Sequence, residues 1–96
     1  MNNKLRVHVT EDHIKSGRRN TCLYCPIAIA LTEQHGEMGI WQVGSVAVHL
    51  FSPTDTIPRT RTKYLLPFRA RAFILNLDEG LPVKPFSFTM LEETPE

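Results

Sequence analysis

Cys22-Leu23-Tyr24-Cys25-Pro26-Ile27-Ala28-Ile29-Ala30-Leu31 is the stretch on which the reading of this chain turns. Pro26 suits the first position of a helix, because the N–H it lacks would have no partner there. Ile27, Ala30 and Leu31 recur at helical period, and Gly36 suits the left-handed position just past a helix end. A helix from Pro26 to His35 is therefore predicted, with an apolar face that another layer must cover. Tyr24 and Ile29 have the spacing of a hydrophobic staple across its start. Cys25 falls on the capping position, where Ser, Thr, Asp or Asn is usual. Both cysteines of the chain thus form a C-x-x-C at the positive end of a helix dipole. Such a pair has three readings: half a zinc site, a redox pair, or small apolar side chains that start a buried helix.

Upstream, Lys4 to Val9 alternates as a strand, with Leu5, Val7 and Val9 on one face and Arg6 and His8 on the other. Thr10 caps a short helix with Glu11 and Asp12 in its first turn, Val9 and Ile14 as its staple, and Gly17 as its stop. Downstream, Ile40–Val43 and Val46–Phe51 alternate on either side of Gly44-Ser45, as in a β-hairpin. Ser52 to Thr62 is a polar loop, and Lys63 to Leu66 a short strand. Pro67 opens a third helix with Leu66, Ala70, Phe73, Ile74 and Leu77 on one stripe and Gly80 at its end. Asp78 and Glu79 sit at its negative end, which basic neighbours would offset. Phe86, Phe88 and Met90 alternate with Ser87, Thr89 and Leu91 in a last strand. Residues 92–96 read as a loose acidic tail.

The order β-α-α-β-β-β-α-β gives an α+β fold, a single domain over residues 1–96. Its twisted, mainly antiparallel sheet carries the second and third helices packed on one face, with the first and last strands as neighbours in the middle. Ile27, Leu31, Phe73 and Leu77 should meet Val7, Val48, Phe86 and Phe88 in one core.

At 42% hydrophobic and 22% charged, the chain is an ordinary globular composition, well away from disorder. A net charge of +1 gives no global field for nucleic acid or membrane, so any such contact must come from local clusters. The longest apolar run, about six residues from Pro26, is far short of the roughly 20 that span a membrane. No signal-type apolar stretch follows Met1, so a cytoplasmic location with reduced cysteines is expected.

Val9-Thr10-Glu11-Asp12-His13-Ile14-x-x-Gly17, Cys25-Pro26-Ile27-Ala28-Ile29-Ala30-Leu31, Phe73-x-x-x-Leu77-Asp78-x-Gly80 and Val83-x-Pro85-Phe86-x-Phe88 form a combined pattern. It resembles a group of small uncharacterised proteins common in bacteriophages, prophages and some bacteria. The resemblance covers both ends of the chain and leaves Thr32 to Pro67 unmatched. It implies a phage or mobile-element setting, in which small domains bind and inhibit a host factor, and it carries no activity.

A zinc site would take Cys22 and Cys25 with His13, nine residues upstream, and His8 or His35 as the fourth ligand. Neither a second C-x-x-C nor a pair of histidines three to five apart completes that pattern. Thioredoxin-like redox motifs also start a helix, but they need a βαβ unit and hold Pro between the cysteines. Here Pro26 follows the pair and a basic loop precedes it. The remaining reading buries one cysteine under the helix and leaves the other in the loop.

Basic residues gather as Lys15, Arg18 and Arg19, as Arg59, Arg61 and Lys63, and as Arg69 and Arg71. Arg18, Arg19, Arg59, Arg61 and Lys63 are the candidate partner-binding residues. Brought together, they would hold phosphate or an acidic protein surface, with Tyr24 and Tyr64 to stack. Ordinary solvated charge, paired with Glu11, Asp12, Asp78 and Glu79, is the plainer alternative. No G-x-S-x-G elbow or Gly-rich phosphate loop is present, and the histidines assemble no catalytic group, so no enzyme is expected. The expected function is a non-enzymatic binding protein, phage- or mobile-element-associated and of inhibitor or anti-defence type. It would occupy a host protein or nucleoprotein complex, through protein or direct nucleic-acid contact. No cofactor is expected, zinc being the one candidate; the alternative is a zinc- or thiol-dependent domain using Cys22 and Cys25.

Overall fold

The computed structural model describes residues 4–51 and 61–93, with Arg61 given by its backbone alone. Five strands, β1 (Lys4–Val9), β2 (Ile40–Val43), β3 (Ala47–Phe51), β4 (Arg61–Leu65) and β5 (Phe86–Glu92), form one antiparallel sheet in the order β1-β5-β4-β3-β2. Helices α1 (Glu11–Ser16), α2 (Pro26–His35) and α3 (Phe68–Asp78) complete an α+β domain in the predicted order.

Helix α2 has the predicted bounds, and the Cys25 thiol caps it by accepting the Ala28 N–H at 3.4 Å. Its end differs from expectation. Gly36 is right-handed and continues into a single 3₁₀ turn, Gly36–Met38. The reversal falls on Gly39, at φ +143°, where a Cβ would run into the Phe51 carbonyl. Gly17 does stop α1, but through close approach: a Cβ there would lie 2.5 Å from the Pro26 ring. At the end of α3, Gly80 donates to the Leu77 carbonyl and Leu81 to the Asn76 carbonyl, closing the helix as a Schellman turn.

Alternation puts Val7, Val48, Tyr64, Phe88 and Met90 on the inner face of the sheet. There they are buried with Ile27 and Leu31 of α2 and Ala70, Phe73 and Ile74 of α3. Leu77 and Phe86 pack half-buried against the same cluster, so the expected core residues do gather. Each such aliphatic or aromatic side chain contributes about 1.5–3 kcal/mol by leaving water. Trp41 belongs to this core, 5.7 Å from the Tyr64 ring.

The sheet order corrects one expectation. β1 and β5 are neighbours, but β1 is an edge and only β5 is interior. The sheet curls so that both edges, β1 and β2, meet α2. On the β1 edge, the Gln34 amide accepts the His8 N–H at 2.9 Å and donates to the His8 carbonyl at 2.7 Å. His35 Nε2 donates to the Arg6 carbonyl at 3.0 Å. Toward β2, Trp41 Nε1 donates to the His35 carbonyl at 3.0 Å, and the Cys22 carbonyl takes the Val43 N–H at 2.8 Å. Alternation along β1 selects its buried face; it says nothing about its neighbours.

Smaller shifts fall at element ends. β3 starts at Ala47, leaving Val46 exposed in the turn, and β4 starts two residues early, at Arg61. β5 takes in Glu92, and the Glu93 N–H donates to the Lys63 carbonyl, so the expected tail is tied down at its first two residues. Residues 94–96 and most of the Ser52–Thr62 loop lie outside the described residues. Among the described residues, no helix is long and apolar enough to cross a membrane.

Candidate functional site

In the C-x-x-C loop, Cys25 serves the fold as the cap of α2. Burial pushes the Cys25 thiol above its ordinary pKa, against the backbone donors of Ala28 and Ile27, and Asp78 and Cys22 add to the rise. For Cys25 itself to act as the attacking thiolate, the opposite shift would be needed. Cys22 is exposed, its Sγ 3.7 Å from Gln42 Nε2. Both cysteines line one cavity of about 360 Å³ with Thr21, Ser45 and Asp78.

His13 is not with them. It is buried in α1, where its Nδ1 accepts the Thr10 N–H at 2.9 Å and the Thr10 hydroxyl accepts the His13 N–H at 3.3 Å. This is a capping box with His in the place of the usual Glu or Gln. With Nδ1 accepting, the ring proton sits on Nε2 and is donated to Glu33 Oε1 at 3.0 Å. Glu33 lies eight residues beyond Cys25 on α2, about 12 Å along the axis. Zinc ligand bonds are about 2.0–2.3 Å, so the structure separates His13 from the cysteine pair. His35 is held by the Arg6 carbonyl and His8 stands on the outer face of the sheet. Among the described residues, no three His, Cys, Asp or Glu side chains gather as a metal ion requires.

The basic candidates are also divided. Arg18 and Arg19 lie in the helical layer, where the Arg18 N–H donates to the Tyr24 carbonyl at 2.7 Å. The Arg19 guanidinium is packed against Gly80, and the Asn20 N–H donates to Asp78 Oδ1 at 2.8 Å. This loop offsets the negative end of α3. Lys63 is on the opposite face of the sheet, 3.4 Å from the Glu93 carboxylate. Arg61 sits two register positions away, opposite Phe51, and Arg59 lies outside the described residues. Tyr64 is no stacking platform: it is buried, and desolvation together with Glu92 raises its pKa. Tyr24 is exposed.

Sequence reasoning missed the outer sheet face. The helices take the inner face, which leaves the outer one to the alternate strand positions, with Glu93, just past β5, reaching Lys63. Its strand positions carry Lys4, Arg6, His8, His49 and Lys63, and no carboxylate. Near the centre, Leu65 and Leu91 face each other in register, 44% and 42% exposed, and Lys4 stands opposite Leu91. Arg6 Nη1 donates to Thr89 Oγ1 at 3.2 Å, which fixes one cation on the face. The outward alternation of Arg6 and His8 was the available signal; the register that brings Lys4 and Lys63 to one leucine pair was not.

On the same face the β1–β5 register brings His8 Nδ1 to 2.7 Å from Ser87 Oγ. A serine becomes a nucleophile when its base is itself oriented by a third group. Among the described residues no carboxylate holds the other His8 nitrogen, and neither residue lines the cysteine cavity. The pair is a cross-strand tie. No family model, curated protein or solved structure matches this chain.

Proposed function

We propose that this protein is a non-enzymatic binding module that lays its outer sheet face on an acidic, partly apolar patch of a partner protein and acts by occupying it. The phage or mobile-element setting comes from the resemblance of its motifs and makes the partner a host protein. The observation that carries the reading is the composition of this face: an exposed leucine pair with Lys4 and Arg6 beside it, Lys63 paired with Glu93 at its margin, and no acidic strand position. A desolvated apolar anchor supplies affinity in such an arrangement, and the surrounding charges supply steering and selectivity. A net charge of +1 leaves the whole molecule without the pull toward polyanions that nucleic-acid binding draws on.

The test compares the proteins captured from nuclease-treated host extract by the parent and by variants. Arg6→Glu combined with Lys63→Glu should weaken capture of the parent's partner about tenfold or more, because like charges then face each other. Arg18→Glu and the double variant Cys22→Ser/Cys25→Ser should retain it. Full capture by the sheet-face variant would sink the reading. Loss in the cysteine variant alone, with one equivalent of zinc measured in the parent, would hand the function to the C-x-x-C pair.

A further inference from the structure

A second recess lies on the helical side of the molecule. Helix α3 and the segment from Pro82 to Phe86 flank a cavity of about 360 Å³ that no part of the sheet-face reading uses. Its floor is aromatic. The Phe73 and Phe86 rings lie 4.7 Å apart, and Val83 completes the apolar wall. Phe68, in the first turn of α3, stands at the mouth 74% exposed, where it adds little to the core. Helical spacing explains the division. Ala70, Phe73, Ile74 and Leu77 turn toward the sheet, while Phe68, Ala72 and Asn76 recur every fourth residue along the recess.

The rim is cationic on both walls. Arg69 projects from the helix with its guanidinium 5.9 Å from the Phe86 ring centre, and Lys84 stands on the opposite segment. No carboxylate lines the recess, and among the described residues neither cation is in an ion pair. A volume of this size lies within the range of about 300–1,000 Å³ typical of ligand sites.

We infer that this recess is a docking site for a linear acidic peptide segment of a partner protein. One aromatic or aliphatic side chain enters between Phe68 and Phe86, and flanking carboxylates meet Arg69 and Lys84. Charge complementarity selects that occupant: an apolar floor alone would take any hydrophobe, whereas two cations across it, neither in an ion pair among the described residues, favour a carboxylate on each side of the anchor. The site is independent of the outer sheet face.

Fluorescence anisotropy tests this with labelled octapeptides that hold Phe, Trp, Leu or Ile in an Asp/Glu frame, beside a matched set in an Asn/Gln frame. The full chain should bind at least one acidic peptide saturably and its neutral match at least about tenfold more weakly, with affinity falling as salt rises. Arg69→Glu and Lys84→Glu should each cost about tenfold, and Phe68→Ser, at an exposed position, should do the same without changing the melting curve. Arg6→Glu/Lys63→Glu should bind the peptides as the parent does, so failure here and failure of the sheet-face reading are told apart. Silence across the acidic set, equal binding of the neutral set, or indifference to all three recess variants would overturn the proposal. A silent panel with Phe68-dependent self-association would overturn it too, by giving the recess to a second copy of the chain.

Discussion

At residue scale, Cys25 is held neutral by the place it occupies. Its thiol fills a buried cap that Ser or Asp would fill with a stronger hydrogen bond, and burial raises its pKa above the ordinary 9.0. A folded value above the unfolded one contributes stability that is fully present below the unfolded pKa. That stability is lost as pH rises through the folded value. The parent's melting temperature should therefore fall more steeply above pH 9.0 than that of Cys25→Ser, which keeps an acceptor for Ala28 and has no group titrating there. Tyr64, raised from 10.0 in both proteins, affects them alike. Parallel slopes between pH 9 and 10 would show that the thiol ionises as freely in the fold as out of it. The capping role of Thr10 was legible in the sequence, whereas the part played by His13 was not. A box signature looks for Glu or Gln at the third helical position, and an imidazole gives the same acceptor by a different shape.

At the scale of elements, α2 does two jobs with opposite ends. Its start caps on Cys25, and its last two residues satisfy backbone groups that an edge strand would otherwise offer to another chain. Gln34→Ala removes two hydrogen bonds to His8 and should cost about 1–3 kcal/mol. It should also raise the apparent mass in sedimentation velocity as concentration rises, since the β1 edge is then open. An unchanged melting temperature and mass would show that the amide does not hold the edge. The bounds of α2 were readable because Pro26 fixes a start and the apolar period runs to its natural length. Its exit was misread at Gly36 because a glycine marks where the chain can turn left-handed, and here the turn comes three residues later. The place of β1 was misread for a related reason. A period of two names the buried face, but Gln34 and His35, on a distant element, decide that β1 stays an edge.

For the whole molecule, the candidate site was legible in pieces. Lys63 stands on the sheet face proposed above for a partner, while Arg18 and Arg19 serve the end of α3 in the other layer. Proximity of basic clusters is a matter of topology, and no local pattern fixes it. Because α2 meets both edges of the sheet, opening either one should disturb the other. Native-state hydrogen exchange under rising denaturant should give the Val7 and Val43 amides a common opening free energy, and two separate isotherms would contradict the shared clasp. The pairing of β1 with β5 has a further consequence, in time. Val9 lies opposite Phe86, so during synthesis the first strand exists for some 77 residues before its partner is made. At about 5–20 residues per second that interval is about 4–15 s. Throughout it, the hydrogen-bonding side that β5 will later cover is open, while the other side can be met by Gln34 and His35 once they are made, some 25 residues after Val9. The newborn chain thus has one half of its first strand guarded by a helix long before the other half is guarded by a strand.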